Sequence, residues 1–226
     1  MNTLQSNLLE ALKEPALREN DLRRRVVEAL LAPSKPSKMS YEEFLAWLDE
    51  DTLAEWVNWE VIMGSPASRQ HQLLSGFLYK LLDAFVEKYQ SGVVLLPPFL
   101  MKLQSAGREQ DLIFIAQPHL SRLKETYLDG PADLVVEITS PESRSRDRGE
   151  KFIEFEQAGI PEYWLIDPDR KRTEFYQLDE AGTYRLVFPD EQDNYHSAIL
   201  PCFWLRVSWL WHLPPVMETL RELGII

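Results

Sequence analysis

Two apolar runs joined by one amphipathic segment constrain this chain more than any other feature. Residues 132–140 (ADLVVEITS) and 161–167 (PEYWLID) each read as a strand. The first is bounded by Gly130-Pro131 and Pro141, the second by the Asp167-Pro168-Asp169 turn. Between them, 145–160 (SRDRGEKFIEFEQAGI) reads as a helix that stops at Gly159, a residue suited to the left-handed cap of a helix. Parallel strands need a crossover of about a dozen residues, usually a helix, and this linker is long enough to give one.

The flanking sequence extends the pattern. Ser40 and Glu43 form a capping box that opens a helix, with Phe44, Leu45 and Leu48 on its buried side. Residues 55–64 (EWVNWEVIMG) alternate and turn at Asn58, which predicts a hairpin. A long helix follows from Pro66 to about Gln90, apolar along Leu73, Leu74, Phe77, Leu78, Leu81, Leu82 and Phe85. Residues 92–103 read as one strand with a bulge or edge at Pro97-Pro98, and 110–116 (QDLIFIA) as another. More short strands fall in 172–205, and the tail from Pro214 is an amphipathic helix. The expected fold class is α/β (α+β), a mixed β-sheet flanked by helices. Residues 1–31 read as two short helices and 32–38 as a Pro/Ser linker, so 1–38 is expected to be an N-terminal helical extension to a domain at 39–226.

The single cysteine, Cys202, rules out an internal disulfide. No signal-peptide pattern opens the chain and no run approaches the roughly 18 apolar residues of a membrane span. A cytoplasmic setting with no membrane partner is therefore expected. The net charge of −12 opposes strong, unaided binding of nucleic acid. It leaves room for a metal-using site, since carboxylates that hold Mg²⁺ add negative charge.

Two acids stand out because strands normally avoid them. Asp111 opens one apolar run and Glu137 interrupts another. A buried carboxylate is costly unless it is paired or bound to metal. Alternation puts Asp133, Val135, Glu137 and Thr139 on one face, so neighbouring strands would let Asp111 and Glu137 converge on a divalent ion. Lys151, one turn into the following helix, could orient the attacking water and stabilise a phosphate. The plainer alternatives are a turn residue for Asp111, a structural ion pair for Glu137 and an exposed helix lysine for Lys151. No nucleophile elbow, zinc-protease motif or phosphate loop is present to suggest another hydrolase chemistry.

The run GPADLVVEITSPESRSRDRGEKFIEFEQAGIPEYWLIDP (130–168) resembles the signature of the Uma-two family, bacterial proteins of restriction-endonuclease type in the PD-(D/E)xK superfamily. SYEEFLAW and VNWEVIMGSPASRQHQLLSGFL resemble its N-terminal block, QDLIFIA its first acidic strand, and PCFWLRVSWLW its C-terminal block, so the likeness covers roughly 40–226. It implies a restriction-endonuclease-like αβββαβ core, with Asp111 as the aspartate of "PD" and Glu137 as the glutamate of "ExK". Thr139 stands at the superfamily's usual lysine position, and the lysine is carried by Lys151 instead. Glu60 matches a family glutamate that is a further candidate for the metal site, and His71 a family histidine near the same cleft. Gln110, Ala132, Phe155 and Trp59 depart from the family pattern.

The expected function is a Mg²⁺-dependent (or Mn²⁺-dependent) endonuclease that hydrolyses DNA phosphodiester bonds without a small-molecule cofactor. Asp111, Glu137 and Glu60 would bind the metal and Lys151 would position the water. His71, Arg144, Arg146 and Arg148 are candidates for contact with DNA. For the arginines the alternative is a solvated segment balanced by nearby glutamates. One site cuts one strand, so a homodimer is the default for double-strand cleavage. The alternative function is a catalytically weak or inactive binding or assembly module on the same fold.

Overall fold

The computed structural model describes residues 38–226 apart from 49–51, 65, 105 and 142. The two helices expected within 1–31, and the linker up to residue 37, lie outside the described residues. The capping box forms as expected. The Glu43 carboxylate accepts from the Ser40 amide at 2.7 Å and Ser40 Oγ accepts from the Glu43 amide at 3.1 Å, starting α1 (Tyr41–Trp47). Strands β1 (Ala54–Val57) and β2 (Glu60–Met63) make the hairpin. Its two turn residues, Asn58 and Trp59, have φ of 48° and 72°. That is the backbone of a tight primed turn, which glycine fits better than tryptophan. Ser68 then caps α2 (Arg69–Tyr89) by accepting from the His71 amide at 3.1 Å.

The expected single strand over 92–103 is two. β3 (Gly92–Leu95) and β4 (Leu100–Lys102) join different sheets. Pro97 and Pro98 have no amide hydrogens to continue a ladder, so the pairing breaks there. Two strands were not anticipated, β5 (Ala106–Glu109) and β7 (Tyr127–Asp129). The predicted runs become β6 (Leu112–Ala116), β8 (Leu134–Ile138) and β9 (Glu162–Asp167). β8 and β9 pair in parallel, as the crossover required. The crossover is not one regular helix, however. It consists of α3 (Arg144–Arg146), a π-helical turn (Asp147–Lys151) and α4 (Phe152–Ala158), ended by Gly159 at φ 75°.

Adding β10 (Arg172–Leu178) and β11 (Tyr184–Val187), the larger sheet runs β11-β10-β9-β8-β6-β3 and the smaller β2-β1-β5-β4-β7. Even-numbered residues of β8, Leu134 and Val136, face α2 and its Leu78, Leu81 and Phe85. The odd-numbered Val135 faces α4, against Phe155 and Tyr163. Both faces of β8 are therefore buried, which explains its near-continuous apolar sequence. Among the described residues no helix is long and apolar enough to cross a membrane.

One buried acid ties the C-terminal block to the sheet. Glu162 is fully buried and accepts from Trp164 Nε1 at 2.6 Å, Tyr195 Oη at 2.6 Å, Ser197 Oγ at 2.9 Å and the amides of Ala198 and Ile199 at 2.9 and 3.2 Å. All five partners are donors, so a carboxamide would turn an NH₂ group towards at least one of them. Glu162→Gln is expected to cost about 2 kcal/mol in urea unfolding. An unchanged midpoint would show that this junction does not hold the C-terminal block.

Candidate active site

The site forms where strand ends meet the π-helical turn. β6 and β8 are antiparallel with Leu112 opposite Val136, and one further step along this register sets Asp111 beside Glu137. Asp111 Oδ2 accepts from the Ile138 amide at 2.6 Å, which fixes the carboxylate to the neighbouring strand. Its Oδ1 lies 2.9 Å from Nε2 of His71 on the first turn of α2. Burial pulls the His71 pKa down, but the hydrogen bond and charge of Asp111 hold it above its ordinary value. His71 Nδ1 is buried without a hydrogen-bond partner.

Lys151 is at the centre. Its Nζ donates to Glu137 Oε1 at 2.7 Å and lies 3.2 Å from Glu55 Oε1 and 3.8 Å from Asp147 Oδ1. Burial alone would favour the neutral amine. The charges of Glu137, Glu55 and Asp147 outweigh it and raise the pKa, so Lys151 stays protonated. The π-helical turn carries both Asp147 and Lys151 inward, and such turns recur at functional sites. It is braced from below by Tyr163, whose hydroxyl donates to the Asp147 carbonyl at 3.1 Å, and by Ser143, whose Oγ donates to Asp147 Oδ2 at 2.7 Å.

These groups line one cleft of about 690 Å³. Six carboxylates border it, those of Glu55, Glu109, Asp111, Glu137, Asp147 and Asp169, against two cations, Arg146 and Lys151. Burial, reinforced by the charge of Glu55, pushes the Glu109 carboxyl up to about 7. Glu109 Oε1 and Asp147 Oδ1 are buried acceptors without hydrogen-bond partners. This donor set suits a hard divalent cation. Mg²⁺ takes oxygen ligands and commonly keeps several waters around one or two carboxylates. Among the described residues no three His, Cys, Asp or Glu side chains form a ready cage. The ammonium of Lys151 instead stands between Glu137 and Glu55.

The structure thus brings Asp111, Glu137, Lys151 and His71 together. It does not bring Glu60 in. That residue is exposed at the start of β2, the outer strand of its sheet, and borders no part of the cleft. The hairpin acid in the cleft is Glu55, on β1, which is flanked by strands on both sides and buried throughout. Of the three arginines, Arg146 borders the cleft and reaches Glu55 at 3.5 Å. Arg144 grips Asp167 with two bonds of 2.7 and 3.1 Å, and Arg148 holds Glu174 at 2.8 Å. Thr139, at the usual lysine position, is buried with its Oγ1 unpaired. Glu55, Glu109 and Asp147 went unread. An acid inside an apolar strand, the signal that exposed Glu137, was available for Glu55 as well.

Comparison with known proteins agrees with this architecture. A crystal structure described as "a putative nuclease belonging to DUF820" from Anabaena variabilis shares the fold, with a TM-score of 0.66 over 77% of this chain and 98% of that one, at 16% identity. No curated protein matches the chain. The model of the Uma2 family, "Putative restriction endonuclease", matches residues 41–208, well over half of the sequence. The chain belongs to the Uma2 family.

Proposed function

We propose that this chain hydrolyses DNA phosphodiester bonds as an endonuclease dependent on Mg²⁺ (or Mn²⁺). The observation that carries the reading is the meeting of Asp111, Glu137 and Lys151 in one acidic cleft, from a strand start, the neighbouring strand and the next helical turn. Asp111 and Glu137 would hold the ion, with Glu55, Glu109 and Asp147 as nearby carboxylates. Bound there, the ion would lower the pKa of a coordinated water and offset charge on the phosphate. Lys151, protonated at neutral pH, neutralises charge growing on the phosphoryl oxygens. His71 and the Ile138 amide hold the two oxygens of Asp111, so that carboxylate is oriented before substrate arrives. One cleft cuts one strand, and a twofold homodimer would supply the second cut.

The direct test is supercoiled plasmid with Mg²⁺, with Mn²⁺ and with chelator, and cleavage is expected in the first two. Binding of the metal has its own readout. At a hundred times Kd a cation adds about 2.7 kcal/mol, which is roughly 5–10 °C in Tm for a domain of this size. Mg²⁺ is expected to raise the Tm of the wild type by that order and to leave Asp111→Asn/Glu137→Gln unmoved. Equal shifts in both would move the cation elsewhere.

One observation favours a second reading, a binding or assembly module without turnover. The charge of Lys151 is already matched by Glu137 and Glu55, and the chain as a whole carries −12. Intact DNA and RNA across several divalent metals, with no metal-dependent melting shift, would establish that reading.

A further inference from the structure

A second concavity, of about 390 Å³, lies beside the acidic cleft, and Pro141 borders both. The same two segments form the wall between them. In the crossover, Asp147 and Lys151 border the cleft while Arg144 and Arg148 border the second concavity. After β9, Asp169 in the turn borders the cleft, while Arg170 in the same turn and Arg172 at the start of β10 border the second. Four of the seven residues lining this concavity are arginines, and Glu174 is the one acid among the seven.

Two of the arginines are oriented in advance. Asp167, whose side chain is fully buried, holds the Nε and Nη2 edge of Arg144, and the buried Glu174 holds Arg148. Arg148 also keeps a buried Nη1 without a hydrogen-bond partner. The other two can reach. Arg172 is exposed and makes one contact of 3.2 Å to Glu174, and the exposed Arg170 side chain has no acidic partner within 4.0 Å among the described residues. Among the described residues, four guanidinium groups stand against Asp167, Asp169 and Glu174 here, in a chain that is strongly acidic as a whole. Guanidinium presents a planar fork of donors that matches phosphate oxygens.

We propose that this concavity holds a backbone phosphate of the same nucleic-acid strand whose scissile phosphate enters the acidic cleft. The proposal rests on the nuclease reading. The six carboxylates that border the cleft repel an approaching strand, a phosphate anchored beside them offsets part of that repulsion, and phosphate contacts set position without reading sequence. Crossing the wall at Pro141 takes a strand from one concavity to the other.

The test measures binding of a labelled DNA duplex to the full chain by fluorescence anisotropy across salt, with Ca²⁺ replacing Mg²⁺. Arg170→Ala/Arg172→Ala is expected to weaken binding roughly tenfold at low salt. It should also flatten the plot of log K against log salt by up to about one, since one neutralised phosphate contributes about 0.9. Lys80→Ala/Lys124→Ala removes the same charge from exposed residues outside both concavities and should change the slope little. Equal losses in the two variants, or none in the arginine variant while the wild type still cleaves plasmid, would overturn this proposal and leave the nuclease reading intact. A wild type that neither binds nor cleaves DNA sinks both. Calorimetry with inorganic phosphate separates the remaining source. Phosphate binding that needs the arginines, with DNA affinity indifferent to them, would assign the concavity to a free anion and refute the strand anchor.

Discussion

Lys151→Ala is expected to slow DNA cleavage by roughly a hundred- to a thousand-fold, the loss typical when one charged or hydrogen-bonding stabiliser of a transition state is removed. The expectation follows from position. The Nζ atom sits at the meeting point of Glu137, Glu55 and Asp147, and no other lysine among the described residues borders the cleft. The same substitution strips buried Glu137 of its nearest cation and Glu55 of one of three, and breaking a buried pair from one side costs about 3–5 kcal/mol. A partly unfolded protein would imitate a catalytic defect, so stability has to be read alongside rate. Here the two causes give opposite responses to metal. With no ammonium between them, Glu137 and Glu55 should bind a divalent cation more strongly, and the Mg²⁺-induced rise in Tm should be larger in Lys151→Ala than in the wild type. Lys151→Arg keeps the charge but not the compact shape in a site where the lysine side chain is 6% exposed, and should recover stability better than rate. Cleavage near the wild-type rate in a folded Lys151→Ala protein would remove Lys151 from the chemistry.

How much of this was legible in the sequence depends on which force sets each position. Glu137 stood out because β8 is buried on both faces, and an acid in such a run has no solvent to point to. The parallel pairing of β8 with β9 was legible for the same reason, since an apolar run, a helical linker and a second run admit few other arrangements. Lys151 was read from its place one turn into the helix after β8, with an exposed helix lysine as the alternative, and the family resemblance supported it. Spacing could not distinguish it from a surface lysine, because the π-helical turn that carries it inward is braced by Tyr163 and Ser143 through contacts a local pattern does not encode. The placement of Glu60 failed on a similar point. Alternation in the hairpin shows that two strands exist but not which of them becomes the outer strand, and Glu55 on the inner one is the acid that reaches Lys151. β5 escaped notice because its sequence, AGRE, has neither β-branched residues nor an apolar alternation. It lies between β1 and β4, and its arginine is buried by ion pairs made to residues far away in the chain.

That arginine carries the other large effect. Arg108→Met is expected to cost about 3–5 kcal/mol in urea unfolding, although methionine fills much of the same space. Arg108 has no exposed surface and is the hinge between two acids. Its Nε and Nη2 donate to Glu154 at 2.8 and 2.7 Å, and its Nη1 to Glu55 at 3.1 Å. Removing the guanidinium leaves both carboxylates in place without it. Adding Glu154→Gln should recover a good part of the loss, because an amide tolerates the missing cation better than a carboxylate does. The pH dependence gives a second check with a definite sign. Burial raises the Glu55 pKa, but Lys151 and then Arg108 pull it below its ordinary value of 4.5. A lowered carboxylate contributes stability above its unfolded pKa and loses it as pH falls through the folded one. The gap between wild type and Arg108→Met should therefore be widest at neutral pH and narrow below about 4.5. Because Glu55 also touches Lys151 at 3.2 Å, the folded fraction of Arg108→Met should cleave more slowly than the wild type, with no change to any residue that borders the cleft. A stable Arg108→Met with full cleavage would mean that Glu55 keeps its place without the guanidinium, and that the link from β5 to Lys151 is contact without consequence.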